Sequence, residues 1–181
     1  MAKYAPGQVM PDFTYDTPFA SNKSFSETAA NWPGKTALVF LRYYGCPICQ
    51  LDLHTFGDEH KAITANGGQL LVVLQSDPKG LAEQITPETF PYDIVCDPEM
   101  KLYEMLSIDP AASMAKMMSF KALKKVIKST KAGYKHGAYE GNEQQLPAAF
   151  VMNPDRTLTY VRYGRDAGDV PTPEELAALL K

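Results

Sequence analysis

The run Lys35-Thr36-Ala37-Leu38-Val39-Phe40-Leu41-Arg42-Tyr43-Tyr44-Gly45-Cys46-Pro47-Ile48-Cys49 decides the fold. Residues 35–43 have a continuous apolar middle, Ala37–Leu41, which predicts a strand buried on both faces, as in a parallel sheet. Pro47 stands where a helix can begin, because the first helical turn has no use for the N–H that proline lacks. Residues 47–65 then read as that helix. Leu51, Leu53, Phe56 and Ile63 are set among Gln50, Asp52, Asp58, Glu59 and Lys61, and Asn66-Gly67-Gly68 stops it.

Working outward, Gln69–Gln75 is a second buried strand, and Asp77-Pro78 opens a short helix to about Ile85. Tyr92–Cys96 is a third strand, and Pro98–Leu106 a short helix. Residues 110–135 are helical in pattern, and Gly133, Gly137 and Gly141 then punctuate a loop. Ala148–Met152 and Leu158–Tyr163 are strands around the turn Asn153-Pro154-Asp155-Arg156. Thr172-Pro173-Glu174-Glu175 is a capping box opening a last helix to Lys181. Upstream, Pro11–Asp16 alternates weakly enough for a short strand, and Ser26–Trp32 holds one or two helical turns before Pro33-Gly34. Strands alternating with helices predict an α/β chain with right-handed crossovers. The expected sheet has four or five strands, mostly parallel, with an antiparallel hairpin over 148–163 and helices on both faces. All of 1–181 reads as one domain, with a helical insertion at about 110–145.

With 181 residues, 45% of them hydrophobic and 22% charged, the chain is neither disordered nor of low complexity. A net charge of −3 argues against a nucleic-acid binder. The longest apolar runs, Ala37–Leu41 and Leu70–Leu74, are far short of a membrane helix, and residues 1–7 hold no signal-peptide core. The expected location is the cytosol, with no membrane and no nucleic acid as partner.

Three cysteines, Cys46, Cys49 and Cys96, make a poor disulfide framework, since the count is odd and the chain can build its own core. At the start of a helix the Cys46 sulfur meets unpaired N–H groups and the positive end of the helix dipole, which favour thiolate. Cys49, three residues on, shares roughly the same face and lies within disulfide reach. The pair can therefore cycle between dithiol and disulfide. Zinc is the rival reading, because His54 and His60 follow Cys49. At about 100° per residue His54 points about 140° away from Cys49, and His60 lies about 16 Å along the axis, so the four cannot surround one ion.

The pattern of buried strand, C-x-x-C opening a helix, and Leu146-Pro147 before a late hairpin resembles the thioredoxin fold. More narrowly, the chain resembles the alkyl hydroperoxide reductase/thiol-specific antioxidant family, in its peroxiredoxin-like C-x-x-C branch. The matching stretches are Leu41–Cys49, Gln145–Asp155 and Tyr163–Asp169. The resemblance implies a thioredoxin-like three-layer α/β sandwich and a redox-active Cys46–Cys49 disulfide in place of any other cofactor. It also implies a cis peptide before Pro147, facing the Cys pair, with Leu146 and Pro147 binding substrate. The substrate is then a disulfide or a peroxide and the reductant a thioredoxin- or glutathione-type thiol, with a homodimer left open. Two positions depart from the relatives' pattern. Phe40 stands where thioredoxins carry a buried acid, and Pro147 stands where ordinary peroxiredoxins carry the arginine that polarises peroxide. Disulfide reduction is therefore expected to exceed peroxide reduction, with Cys46 attacking and Cys49 resolving. The alternatives are a peroxidase with Cys49 as nucleophile and a non-enzymatic binding module.

Other residues carry weaker signals. Arg42, the basic side chain just ahead of the pair, is a candidate substrate contact, the alternative being a solvated or salt-bridged arginine; Tyr43 and Tyr44 are expected to pack with one hydroxyl near the sulfur, Tyr44 being the candidate substrate contact. Cys96 reads as a small buried hydrophobe. Lys116, Lys121, Lys124, Lys125, Lys128, Lys131 and Lys135 make residues 116–135 basic, and the plain reading is a packed amphipathic insert with a solvated lysine face, the alternative a membrane-surface or partner-docking helix. Arg165, Asp166 and Asp169 are expected to fix the last loop to the sheet or to form surface pairs.

Overall fold

The computed structural model describes residues 2–181. The chain opens with the hairpin β1 (Thr14–Thr17) and β2 (Ala20–Ser24), and Ser24 caps α1 (Phe25–Ala30) by accepting from the Glu27 N–H. Then come β3 (Thr36–Phe40), α2 (Pro47–Asp58), α3 (His60–Ile63) and β4 (Gln69–Leu74). They are followed by α4 (Pro78–Ala82), β5 (Asp93–Cys96) and α5 (Lys101–Met105). The region of the predicted insert folds as α6 (Met114–Met117) and α7 (Phe120–Lys131). The chain ends with β6 (Ala148–Met152), β7 (Leu158–Tyr163) and α8 (Pro173–Leu179).

One sheet of seven strands runs in the order β2-β1-β5-β4-β3-β6-β7. β3 is central: Leu38 pairs with Leu71 of the parallel β4 on one side and with Phe150 of the antiparallel β6 on the other. Successive β3 residues feed opposite cores. Ala37 and Val39 pack with Leu53 and Phe56 of α2, Ala122 of α7 and Leu176 of α8. Leu38 and Phe40 pack with Phe25 of α1 and with Leu102 and Tyr103 of α5. Each such fully buried Leu or Phe contributes about 1.5–3 kcal/mol, so both faces of the sheet are held and the three-layer α/β sandwich follows.

The expected sheet is corrected in two ways. It has seven strands rather than four or five, and four of its six pairings are antiparallel rather than few. β2 reads Ala-Ser-Asn-Lys-Ser and is largely exposed, so it carries no hydrophobic period to read. Antiparallel hairpins flank the parallel strands β5-β4-β3 on both sides. The helix expected over 47–65 breaks at Glu59, and the stretch 110–135 breaks at Met118, whose extended backbone (φ −94°, ψ 93°) leads into the Ser119 cap of α7.

α7 lies on α2. Lys125 reaches Asp52 with its Nζ 2.7 and 2.8 Å from the two carboxylate oxygens, and both side chains are largely buried. Burial pushes the Asp52 carboxyl up, and the lysines Lys125, Lys121 and Lys128 pull it back. Lys125 therefore departs from the solvated lysine face that the sequence suggests.

Candidate active site

β3 ends at Phe40, and the next residues leave the sheet without losing its hydrogen bonds: the Leu41 N–H donates to Val73 O, and Arg42 O accepts from the Gln75 N–H. A turn closed from Cys46 N–H to Tyr43 O then delivers Cys46 as the N-cap of α2, in extended conformation (φ −80°, ψ 119°), with Pro47 in the first helical turn. The Cys46 sulfur accepts from the Cys49 backbone N–H at 3.4 Å, as a capping oxygen would. Cys46 is 1% exposed and Cys49 4%. Both are free thiols.

Arg42 turns its guanidinium onto the pair. Nη2 donates to Cys46 Sγ at 2.9 Å, and Nη1 donates to the backbone oxygen of Glu143 at 2.7 Å. The Cys46 thiol is lowered to about 6 by the hydrogen bond from the Cys49 thiol, by the Arg42 charge and by the Cys49 and Ile48 N–H groups, against the opposing effect of burial. Cys49 is driven well above the ordinary thiol range by burial, with the neighbouring Cys46 adding to it. The two thiols are thus pushed apart, Cys46 toward the thiolate beside Arg42 and Cys49 toward the protonated form.

Residues 135–143 pass over this turn. The Gly137 N–H donates to Gly45 O at 2.8 Å, and Gln50 Nε2 donates to Lys135 O at 3.2 Å. The backbones at 45 and 137 approach so closely that a Cβ on Gly45 would collide with the Ala138 carbonyl oxygen. The Tyr43 hydroxyl donates to Glu143 Oε1 and lies 3.2 Å from His136 Nε2. Farther along, Glu140 accepts from the Ser76 hydroxyl at 2.7 Å, and Ser76 Oγ accepts from the Tyr44 N–H at 2.9 Å. Tyr43 is fully buried, as expected of a packing residue.

A cavity of about 320 Å³ adjoins Cys46. Arg42, Cys46 and Ile48 form one side of it, and Met114, Met117, Met118, Val126 and Tyr134 the other. Of the sequence candidates, Arg42 and Cys46 line it, while Tyr44, Leu146 and Pro147 do not. Leu146 packs on the core cluster that contains both cysteines. The Leu146–Pro147 peptide is trans, which corrects the expectation of a cis bond; no described peptide bond is cis. The chain reaches β6 already extended: Gln145 is bridged to Pro110, and Pro147 O accepts from the Gly164 N–H at 2.8 Å. Its carbonyl is used inside the sheet rather than offered to a substrate.

Several site residues escaped the sequence reading, namely Glu143, His136, Gly137 and the three methionines. The glycines of 133–141 announce a loop, but nothing local says that the loop returns to Cys46. Phe40 is buried among Tyr103 and Phe150, in the core on the face opposite the one that holds the Cys pair. Cys96 is a buried free thiol pushed up to about 12 by burial and by the charges of Asp77, Asp16 and Glu140. His54 stacks on Tyr134, and among the described residues no His/Cys/Asp/Glu group could hold a metal ion. In the last loop the Arg165 and Gly168 N–H groups donate to Asp169 and Asp166.

Residues 52–166 match the family model described as AhpC/TSA antioxidant enzyme. Cys46 and Cys49 lie just ahead of the matched stretch. The thioredoxin-like protein AAED1, chloroplastic, of Arabidopsis thaliana is 23% identical over 155 residues. That alignment takes in 80% of this chain and 62% of the relative, so the chain spans less than two thirds of that protein's length. Among solved structures, peroxidoxin BcpB from Mycobacterium tuberculosis superposes with a TM-score of 0.66 at 15% identity, over 97% of this chain and 95% of its own. A yeast mitochondrial 1-Cys peroxiredoxin, solved to explain thiol resolution via glutathione/thioredoxin systems, gives a TM-score of 0.60 at 12% identity, over 88% and 67%. The thioredoxin-like sandwich read from the sequence is thus the fold, and the chain belongs to the AhpC/TSA antioxidant enzyme family.

Proposed function

We propose that the protein is a two-cysteine thiol oxidoreductase that reduces a peroxide at Cys46 and stores the oxidation as a Cys46–Cys49 disulfide. The observation that carries this reading is the guanidinium of Arg42 at 2.9 Å from Cys46 Sγ. The sequence argued against peroxide reduction because Pro147 replaces an arginine; Arg42 supplies a charged donor from the other direction. Thiolate attacks the peroxide oxygen, the O–O bond breaks, and the departing alkoxide or hydroxide is stabilised by the Arg42 donors and takes a proton from water. Cys46 is left as a sulfenic acid. That step removes the negative charge of Cys46, which helps hold Cys49 protonated. Cys49 can then ionise and displace hydroxide from the sulfenic sulfur, closing the disulfide and releasing water.

The pair itself carries the two electrons, so the reading needs no metal or organic cofactor. Regeneration falls to a thioredoxin- or glutathione-type thiol, which places the protein in a reducing compartment such as the cytosol. No helix among the described residues is long and apolar enough to cross a membrane. Disulfide exchange is the second reading, favoured by C-x-x-C at a strand-to-helix junction. Cys46 borders the cavity and Cys49 does not, and the Cys49 thiol is driven up, which supports a resolving role for Cys49 over a peroxidatic one.

The test offers reduced protein hydrogen peroxide and insulin disulfides separately. Peroxide loss matched by a Cys46–Cys49 disulfide in the mass spectrum is expected. Insulin reduction with peroxide untouched moves the assignment to the second reading, and inertness toward both leaves only a binding module.

A further inference from the structure

α7 buries Ala122 and Ser129, and Lys125 beside them reaches Asp52. On the outward side Phe120, Leu123 and Ile127 are 74%, 48% and 49% exposed. At about 100° per residue these three fall in one stripe about 60° wide, and Lys124, Lys128 and Lys131 fall in the stripe next to it. On the other flank of the apolar stripe lie Val126 and Thr130, which line the cavity over Cys46. Met114 and Met118, each 48% exposed, also line that cavity and so join it to the exposed apolar surface.

Charge is concentrated on the same face. Residues 116–135 contain seven lysines and no acid, whereas the rest of the chain carries a net −10. Lys116, Lys124, Lys128, Lys131 and Lys135 are exposed, and none has an acidic partner among the described residues. An apolar centre with a charged rim is the anatomy of a protein interface, and a single-sign lysine field steers partners of the opposite sign. The apolar stripe has lysines on one flank and the Cys46 cavity on the other. Whatever covers the stripe therefore sits against the cavity that adjoins the sulfur.

We infer that the α6–α7 face is the docking surface for an acidic dithiol protein that reduces the Cys46–Cys49 disulfide, an inference that rests on the redox reading of that pair. Cys46 borders the cavity and Cys49 does not, so the partner's thiolate meets Cys46 Sγ. The Cys46–Cys49 bond breaks, and Cys49 leaves as a thiolate that takes a proton from water. The partner's second thiol, losing its proton to solvent, then displaces Cys46 from the mixed disulfide. The partner ends as a disulfide and the pair as a dithiol, two electrons having passed. The disulfide state carries no thiolate for Arg42 to hold, so the contact that covers Sγ lapses in the state the partner has to reach.

The test compares wild type with Lys124→Glu/Lys128→Glu and with Ile127→Asp, all at exposed positions outside the catalytic pair. Peroxide-driven turnover is measured with an acidic thioredoxin as reductant and, separately, with dithiothreitol. The expected result is a fall of about tenfold or more in kcat/KM for thioredoxin, loss of the wild-type salt dependence, and unchanged turnover with dithiothreitol. Unchanged thioredoxin kinetics in the variants, or no thioredoxin turnover in wild type that dithiothreitol still drives, overturns the docking surface while leaving the redox pair intact. Absence of peroxide-driven turnover with dithiothreitol in wild type overturns the peroxide reading of the pair, and absence of insulin reduction as well overturns its redox role. Two further results assign the face elsewhere: a wild-type dimer that the charge reversals dissociate, or binding to phosphatidylserine vesicles that they abolish, each with thioredoxin kinetics unaffected.

Discussion

Arg42 Nη2 donates to Cys46 Sγ across 2.9 Å, and its other nitrogen is tied to Glu143 O at 2.7 Å. One side chain from the end of the central strand thus fixes both the Cys46 sulfur and the segment that covers it. Replacing it by methionine keeps the apolar stem and removes the charge. The Cys46 value should then rise from about 6 toward the ordinary thiol range, because one of the groups favouring the thiolate is gone. The pH dependence of alkylation in reduced Arg42→Met measures this, and an unshifted profile would mean that Arg42 does not act on the sulfur.

The same depressed thiol makes stability depend on pH. A group that ionises more readily when folded than when unfolded stabilises the fold above its unfolded value, and that stabilisation is lost as pH falls through the folded value. For Cys46 the window runs from about 9 down to about 6. Cys49 acts in the opposite sense but above that window, since burial drives its folded value well up. Reduced wild type should therefore lose more stability than Cys46→Ser between pH of about 8.5 and pH of about 6 in denaturant unfolding. Parallel curves for the two proteins would contradict the ionised Cys46.

Gly45 is the point where the cover meets the turn that delivers Cys46. A methyl group there would strike the Ala138 carbonyl oxygen, which is backbone and cannot swing aside. Gly45→Ala should displace residues 136–139, break the bond from Gly137 N–H to Gly45 O and raise the rate at which bulky alkylating reagents reach Cys46. An unchanged rate would show that this segment does not limit access.

Lys125 and Asp52 form a largely buried ion pair between α7 and α2. Taking away Lys125 alone leaves a buried carboxylate, so Lys125→Ala should cost about 3 kcal/mol. Removing both charges with apolar residues of similar size, as in Lys125→Met/Asp52→Leu, should recover most of it. By contrast, Lys124→Ala and Lys128→Ala should each stay within about 0.5 kcal/mol of wild type. Denaturant unfolding of the four variants decides whether the pair joins α7 to the body of the fold.

Much of this was legible in the chain itself. Ala37–Leu41 and Leu70–Leu74 announce buried strands because their side chains face two cores, and the Cys46-Pro47 step announces a helix start because Pro47 needs no N–H donor. The edge strand Ala20–Ser24 was not legible, since an exposed edge imposes no hydrophobic alternation. At the site, the placing of Cys46 and Cys49 together at a helix start follows from local spacing. The position of Arg42 does not, because a residue leaving a strand can turn to either face, and here the choice is made by Glu143, 101 residues away along the chain. The cover formed by 135–143 and the methionines of α6 is likewise a matter of tertiary return, which no local pattern encodes. The trans bond before Pro147 belongs to the same class: the Pro110 bridge to Gln145 and the Gly164 N–H, both distant in sequence, hold the strand entry extended.

The division of labour between the two cysteines is tested most directly by following peroxide consumption and covalent products in Cys46→Ser and Cys49→Ser. Cys46→Ser should be inert. Cys49→Ser should consume one equivalent of peroxide per molecule and stop as a Cys46 sulfenic acid that dimedone traps. Peroxide consumption retained in Cys46→Ser and lost in Cys49→Ser would contradict the account and make the buried Cys49 the attacking sulfur.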